Sequence, residues 1–488
     1  MLRTFAMTLP LRWSPFERYM LRDDRASHPM TFTIRLKFAG PFDAPAFERA
    51  ALQAVERHPL LRARLEGARP AEFTWVASPD PRPYLDVAPL DAPLRFPGAE
   101  QIDLRNANGL RIWVRTGADR EGTQKTEMRF QFHHACCDGL GAYRYIEDAL
   151  ACYHRAVVPG EHPPLRPLDS EALARRADYG LTWWKLLLRL PAEIWGAVVG
   201  LAVFLIVRPR PLKTSERPAP GSDDGLTLLD YPAFKFDAET SRRLRDVAKA
   251  AGATMNDLLL CELFRAMSRW NAMNDPRAGG GNLRIMMPVS LRVAADELTP
   301  AANIVAMVNL DRNLTMYKNP RLLLTTIRLE TRFLQYFRFG LAFIRCITFF
   351  GWIPGGIEFM ASGSRCYATS VLSNLGRVLI ETPNPWQNGR LIAGDLVLEA
   401  IESAPPVRPH THTSLTCLFY DGRLSVIQNY DRHHLTPAAA EALMQVTIDQ
   451  LRETAAAGKV TRGNDLTPGV LNGSAGDAVL DHVEAGQR

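Results

Sequence analysis

From Lys125 to His134 the chain alternates, with Met128, Phe130, Phe132 and His134 on one parity and Arg129, Gln131 and His133 on the other. Successive side chains of a strand point to opposite faces, so the two parities are two faces of one strand. The apolar face has to be buried, and it ends on an imidazole. Ala135-Cys136-Cys137-Asp138-Gly139 then turns the chain, Gly139 suiting the turn backbone. Leu140 to Ala156 reads as the following helix. Whatever this chain folds into must therefore close an α+β unit around a histidine carried inward.

An imidazole held away from water loses basicity, because burial disfavours its charged form. His134 is thus expected to be neutral near pH 7 and able to accept a proton from a hydroxyl or amine attacking a carbonyl. His133 points the other way, so the two rings do not share an ion, and no metal is expected here. Asp138, four residues beyond the base, fits a structural ion pair better than a relay. Cys136 and Cys137 have no neighbour that would lower a thiol pKa, which argues against a cysteine nucleophile.

At 488 residues there is material for two or three domains. Apolar residues make up 47% and charged residues 23%, the balance of a globular chain. The net charge of +6 comes from scattered arginines, with no basic block interleaved with aromatics, so nucleic acid is not an expected partner. Seven scattered cysteines form no zinc-type spacing and read as reduced thiols in the cytoplasm. Met1 to Pro10 shows no secretory signal pattern.

Ser14-Pro15-Phe16-Glu17 is a capping box that opens a helix. Strands are expected over Thr31–Phe38, Glu72–Ala77 and Leu110–Arg115, and a helix after Asp43. Beyond the Pro-rich stretches 159–168 and 208–224, a helix over Thr254–Met273, another near 320–338 and strands near 284–288, 304–310, 368–372, 395–401, 412–420 and 423–430 follow. Thr436-Pro437 starts a last helix. The expected organisation is a first lobe over 1–165, a linker over 166–225, a second lobe over 226–461 and a disordered tail over 462–488.

The run His133-His134-x-x-x-Asp138-Gly139 resembles the active-site motif of the chloramphenicol acetyltransferase-like superfamily. That group includes peptide-synthetase condensation domains, wax ester synthase/diacylglycerol acyltransferases and polyketide-associated acyltransferases. Further stretches are similar in the expected order: Ser14 to Leu21, Glu56 to Arg62, Ala253 to Asp257, Met287 to Arg292, Ser373-Asn374-Leu375-Gly376 and Gly422 to Asp431. The resemblance covers about residues 14–456. It implies two similar α+β lobes forming a V around a central tunnel, reached by donor and acceptor from opposite sides. It further implies His134 as base, Asp138 in a structural ion pair, and Arg62 as the arginine partner. No tightly bound cofactor is implied; the donor is an acyl-CoA or acyl carrier protein thioester. Ala135-Cys136-Cys137 departs from the family's usual filling, and the apolar segment between the halves is not found in compact members.

That segment, Ile194 to Val207, is an unbroken apolar run of 14 residues, short of the roughly 20 a spanning helix needs. Trp183, Trp184 and Trp195 precede or enter it, and Arg208, Arg210 and Lys213 follow. Aromatics with basic flanks suit an interfacial helix, so 183–213 is read as peripheral membrane contact on the inner face, with a core helix or a span as alternatives. Phe337 to Phe359, broken by Arg338, Arg345 and Glu358, is read as core.

Other signals carry less. Ser373-Asn374 is either a tight turn or a donor to a tetrahedral intermediate. His433-His434 precedes the last helix and reads as surface; His410 and His412 share parity but show no third metal ligand. Gly279-Gly280-Gly281 lacks the lysine of a phosphate loop, and there is no Gly-x-Ser-x-Gly elbow. The expected function is acyl transfer from a thioester to a hydroxyl, or to an amine, with His134 as general base and His133, Asp138 and Gly139 completing the motif. An amide-forming condensation enzyme and a non-catalytic binding or scaffold protein of the same fold are the alternatives.

Overall fold

The computed structural model describes residues 9–68, 72–181, 191, 194–196, 198, 200, 202, 206–214, 218, 227–228, 230–275, 281–313, 315 and 319–460. The expected tail 462–488, Trp183, Trp184 and residues 197, 199, 201 and 203–205 of the Ile194–Val207 run lie outside them. The alternating stretch is a strand, Gln124–His133, and Met128, Phe130 and Phe132 are fully buried. It belongs to a seven-stranded sheet ordered Trp386–Gln387, Arg390–Ala393, Leu396–Ala404, Thr31–Ala39, Gln124–His133, Leu110–Ala118, Tyr84–Pro89. Thr31–Ala39 flanks it in antiparallel register, Phe32 opposite Phe132 and Thr31 opposite His133. Helices Ala44–Glu56 and Gly139–Val157 supply Phe47, Val55, Tyr145 and Ile146 to the same core.

A second, six-stranded sheet is ordered Val305–Asn313, Asn282–Ser290, Ser370–Arg377, Thr413–Tyr420, Arg423–Tyr430, Ala233–Lys235. Ser370–Arg377 runs parallel to both of its neighbours. Helices Ala238–Ala250, Met255–Asn274 and Pro437–Ala457 close a separate hydrophobic core over this sheet. The architecture is α+β, with two sheets and a core on each.

The expected caps are present. Ser14, Asp43, Thr254 and Thr436 each accept from the backbone N–H three residues on, and Pro15, Ala44-Pro45 and Pro437 set the first turns. Glu17 closes the first box and also takes Trp75 Nε1–H at 3.0 Å and Arg176 at 2.6 Å. One buried carboxylate thus pins the opening helix to two distant segments.

The sheets do not follow chain order: Trp386–Gln387, Arg390–Ala393 and Leu396–Ala404, from the stretch expected as the second lobe over 226–461, return to complete the first sheet. Leu396–Ala404 pairs antiparallel with Thr31–Ala39, setting Leu398 opposite Phe38 and Ile401 opposite Leu36. Leu396, Leu398 and Ile401 are buried in the first core. An alternating strand declares which face it buries but not which edge it joins, so order along the chain misassigned it.

Among the described residues no single helix is long and apolar enough to cross a membrane; helices Pro320–Tyr336 and Gly340–Trp352 bend by 61° at their junction. Gly340–Trp352, expected to be core, is so on one side only. Leu341, Ile344 and Ile347 are buried, whereas Phe349 and Trp352 are 54% and 78% exposed.

The join between the first sheet and the returning segment depends on Gly40, whose φ is +117° and whose added Cβ would stand 2.1 Å from the Asp395 carbonyl oxygen. Both the backbone conformation and the close approach require glycine. Gly40→Ala is expected to lower stability by about 2 kcal/mol or more, within the range for strained backbone positions, as read from the midpoint of urea unfolding. An unchanged midpoint would show that the join relaxes freely.

Candidate active site

His133 ends the strand, and His134 is the first residue past it, its N–H donating to the Met30 carbonyl at 2.8 Å. The alternation places the rings oppositely. His134 is half-buried, edge-on to Phe32 with ring centroids 5.0 Å apart. His133 is wholly buried; its Nδ1 accepts from Ala135 N–H at 3.1 Å and its Nε2 faces Asp24 Oδ2 at 3.5 Å. Asp24 also accepts from Met30 N–H at 2.8 Å, so the Asp24–Met30 loop holds both histidines from below.

Burial pushes the His134 pKa below its ordinary value of 6.5, and neighbouring His133 adds to this. A bond from the ring to its own carbonyl and the Asp138 charge oppose it without reversing it. Asn303 secures the same carbonyl, donating Nδ2–H at 2.7 Å, and lies 3.4 Å from His134 Nδ1. The sequence reading did not single out Asn303; it stands in a loop just ahead of a strand, with no local pattern to mark it.

Asp138 takes a structural role with a different partner from the one expected. It caps the helix Gly139–Val157, accepting from Gly141 N–H at 2.9 Å. Its oxygens meet the Arg292 guanidinium in a two-pronged pair at 2.6 and 3.0 Å, and Ile304 N–H donates at 2.9 Å. Arg292, not Arg62, is therefore the ion-pair partner. Arg62 ends the turn Pro59–Arg62, where its carbonyl accepts from Ser78 N–H. Arginines are scattered along the chain, and local sequence did not say which would fold back to the carboxylate. Burial alone would raise the Asp138 pKa, but Arg292 and the two backbone donors outweigh it and hold the group below the usual carboxylate range.

The neighbouring His58 is also buried, its Nε2 3.2 Å from Asp148 Oδ2 and its Nδ1 accepting from Ala301 N–H at 2.9 Å. Gly139 lies beside Leu375, whose Cδ2 would stand 3.1 Å from an added Cβ, so the Ser373-Asn374-Leu375 segment reaches the motif. Asn374 Oδ1 accepts from Gly376 N–H at 3.1 Å across a bulge in strand Ser370–Arg377. Cys136 and Cys137 are buried and their thiol pKa values are driven well up by desolvation, which makes neither a nucleophile at neutral pH. A cleft of about 770 Å³ opens elsewhere, among Arg64, Arg82, Arg105 and Arg111, and no motif residue lines it.

No family model matches the chain. An uncharacterized protein of Mycobacterium tuberculosis is 27% identical over 300 residues, and the match covers 59% of this chain. The chain spans 63% of the length of that curated relative. Among solved structures, the first condensation domain of the calcium-dependent antibiotic synthetase superposes with a TM-score of 0.66 at 14% identity, over 92% of this chain and 97% of that one. Polyketide synthase associated protein 5 of Mycobacterium tuberculosis gives 0.60 at 17% identity, over 90% and 97%. The starter condensation domain of rhizomide synthetase, solved in complex with C8-CoA, gives 0.59 at 14% identity, over 92% and 95%. The chain has the fold of these condensation domains.

Removing Arg292 would strand a buried charge. Arg292→Ala is expected to cost ~3–5 kcal/mol at pH 7, while Arg62→Ala leaves the Asp138 pair intact. Because the folded-state pKa of Asp138 is depressed, this stabilisation is full above the ordinary value of 3.8 and is lost as pH falls through the lower folded value. The penalty in the variant should therefore shrink on acidification, as followed by urea unfolding at several pH values. A penalty equal for Arg292→Ala and Arg62→Ala would contradict the assignment.

Proposed function

We propose that the chain is an acyltransferase in which His134 Nε2 is the general base and an acyl-CoA or carrier-protein thioester is the donor. The observation that carries this reading is the half-buried His134 imidazole at the end of the motif strand, edge-on to Phe32, its burial favouring the neutral free base. An acceptor hydroxyl gives its proton to Nε2 as its oxygen bonds to the thioester carbonyl carbon. The tetrahedral oxyanion then collapses, the C–S bond breaks, and the imidazolium returns the proton to the leaving thiolate. Products are an ester and a free thiol, with no net proton change. Asn374, whose Oδ1 is held by Gly376, is proposed to offer its amide N–H to the oxyanion, with Ser373 beside it. His133, Asp138, Arg292 and Gly139 position the base.

An amine acceptor would follow the same steps to an amide, and a scaffold protein of this fold would follow none of them. The rhizomide domain's complex with C8-CoA supports a CoA thioester as the first donor to try. A mass-spectrometric screen of acyl-CoAs against alcohols, amines and diacylglycerols is expected to give an ester, with His134→Ala slower by about 10²-fold or more. The rate should rise with pH through a midpoint below 6.5, since the neutral ring is the active form. Equal turnover by the two proteins would remove the mechanism; product only with amines would assign the condensation reading.

The same reading includes peripheral contact with an anionic membrane surface, which suits a lipophilic substrate. Trp195 and Ile206 of the first apolar segment are 71% and 77% exposed, as is much of Tyr336, Trp352 and Phe359. Gly196 and Gly200 face Phe339, bringing the segments together. Residues 331–357 contain Arg332, Arg338 and Arg345 and no Asp or Glu, which matches anionic headgroups. Co-sedimentation with phosphatidylglycerol vesicles is expected, reduced in Trp352→Ser and by high salt. Equal partition to phosphatidylcholine vesicles, or none to either, would overturn this contact.

A further inference from the structure

Asp431, the first residue after strand Arg423–Tyr430, is 1% exposed and surrounded by imidazoles from both ends of the chain. His28 Nε2 lies 3.4 Å from its Oδ2, and His433 Nδ1 lies 3.1 Å from its Oδ1. One nitrogen of each imidazole and one oxygen of Asp431 all lie within 4.8 Å of one another. We propose that His28, Asp431 and His433 form a binding site for a first-row divalent cation of the zinc class.

The convergence of the three donors is what carries this: the two imidazole nitrogens lie 3.4 and 3.1 Å from the two oxygens of one buried carboxylate, and neighbouring ligand atoms of a tetrahedral site with bonds of about 2.0–2.2 Å stand roughly 3.3 Å apart. Two imidazoles and one carboxylate are a usual donor set for such ions. His433 Nδ1 has hydrogen-bond geometry to Asp431 Oδ1, whereas His28 is buried and its Nε2 faces the carboxylate without that geometry.

The surroundings match a second layer of support. His28 Nδ1 contacts Ser27 Oγ at 3.0 Å, fixing the ring from its far side. His434 Nδ1 meets Asp431 Oδ2 at 2.6 Å and stacks on His412 with centroids 4.5 Å apart. Metal ligands are commonly oriented by such partners. Asp431 is held well below the ordinary carboxylate range: burial raises it, and His28, the His433 N–H and His434 more than compensate. The His433 side chain is 59% exposed, which gives an ion a way in. His433-His434 was expected at the surface, and the histidine that joins His433 at Asp431, His28, lies some four hundred residues away along the chain.

An ion here would tie the turn Arg25–His28 to the end of the second sheet. That turn lies between Asp24 and Met30, the residues that hold His133 and His134. The site would thus brace the floor beneath the histidine motif without entering the reaction.

The test uses the full chain without a polyhistidine tag, stripped with chelator and titrated with Zn²⁺ by calorimetry, with bound metal counted by elemental analysis. One Zn²⁺ per chain and a raised melting temperature are expected. His433→Ala, an exposed change, and His28→Gln should each weaken binding by at least about tenfold, and His434→Ala by about 10–100-fold. No binding at micromolar Zn²⁺ would overturn the proposal. So would binding that His433→Ala leaves unchanged, which would place the metal elsewhere. None of these readouts depends on acyl transfer.

Discussion

The buried pair of Asp138 and Arg292 is the contact on which the rest of the site depends. Each carboxylate oxygen takes two donors: Gly141 N–H and Arg292 Nη2 on one, Ile304 N–H and Arg292 Nη1 on the other. That exhausts the accepting capacity of the group. A start of helix, the end of strand Asn282–Ser290 and the start of strand Val305–Asn313 are thereby fixed against one another. Ala302 closes the arrangement, its carbonyl accepting from Asp138 N–H and from Arg292. Desolvating two charges is expensive, so the value of such a pair lies in position more than in net stability.

The two histidines divide the work because a strand turns adjacent side chains apart. His133 faces Asp24 at 3.5 Å; burial would raise the Asp24 pKa, but the His133 ring and the Met30 N–H bring it below the ordinary range. A charged neighbour of that kind would have been wrong for a base that must be neutral. His134 has Phe32 at its edge and Asn303 at its carbonyl instead. One residue step along the chain is enough to separate a wholly buried imidazole beside a carboxylate from a half-buried one against an aromatic ring.

Much of this was legible because strands and helix starts are written locally. The parity of Met128 to His134, the capping box at Ser14 and the proline at position 437 each depend on residues within a few positions of one another. What was not legible depends on folding back. Arg292 reaches Asp138 across 154 positions, and Leu396–Ala404 joins a strand that begins at Thr31. Helix Ala238–Ala250 went unmarked because it buries only Ser241, Leu244, Val247 and Ala248, a thin stripe on a polar segment. Strand Tyr84–Pro89 is a largely exposed edge, so it carries no alternating apolar pattern.

The buried polar atoms left without a hydrogen bond say something about where the fold accepts a cost. Among the described residues His133 Nε2, Arg292 Nε and Asn303 Oδ1 are three of them, and all three belong to side chains that hold the His134 loop. Leaving a buried donor or acceptor unmade costs about 1–3 kcal/mol, so a cluster of them is not what stability alone would select. Asn303 shows the reason most directly. Turning its amide to aim Nδ2 at the His134 carbonyl forces Oδ1 into a place with no donor. The geometry favours a fixed imidazole over a fully bonded loop, which is the trade expected where a side chain must be held for chemistry.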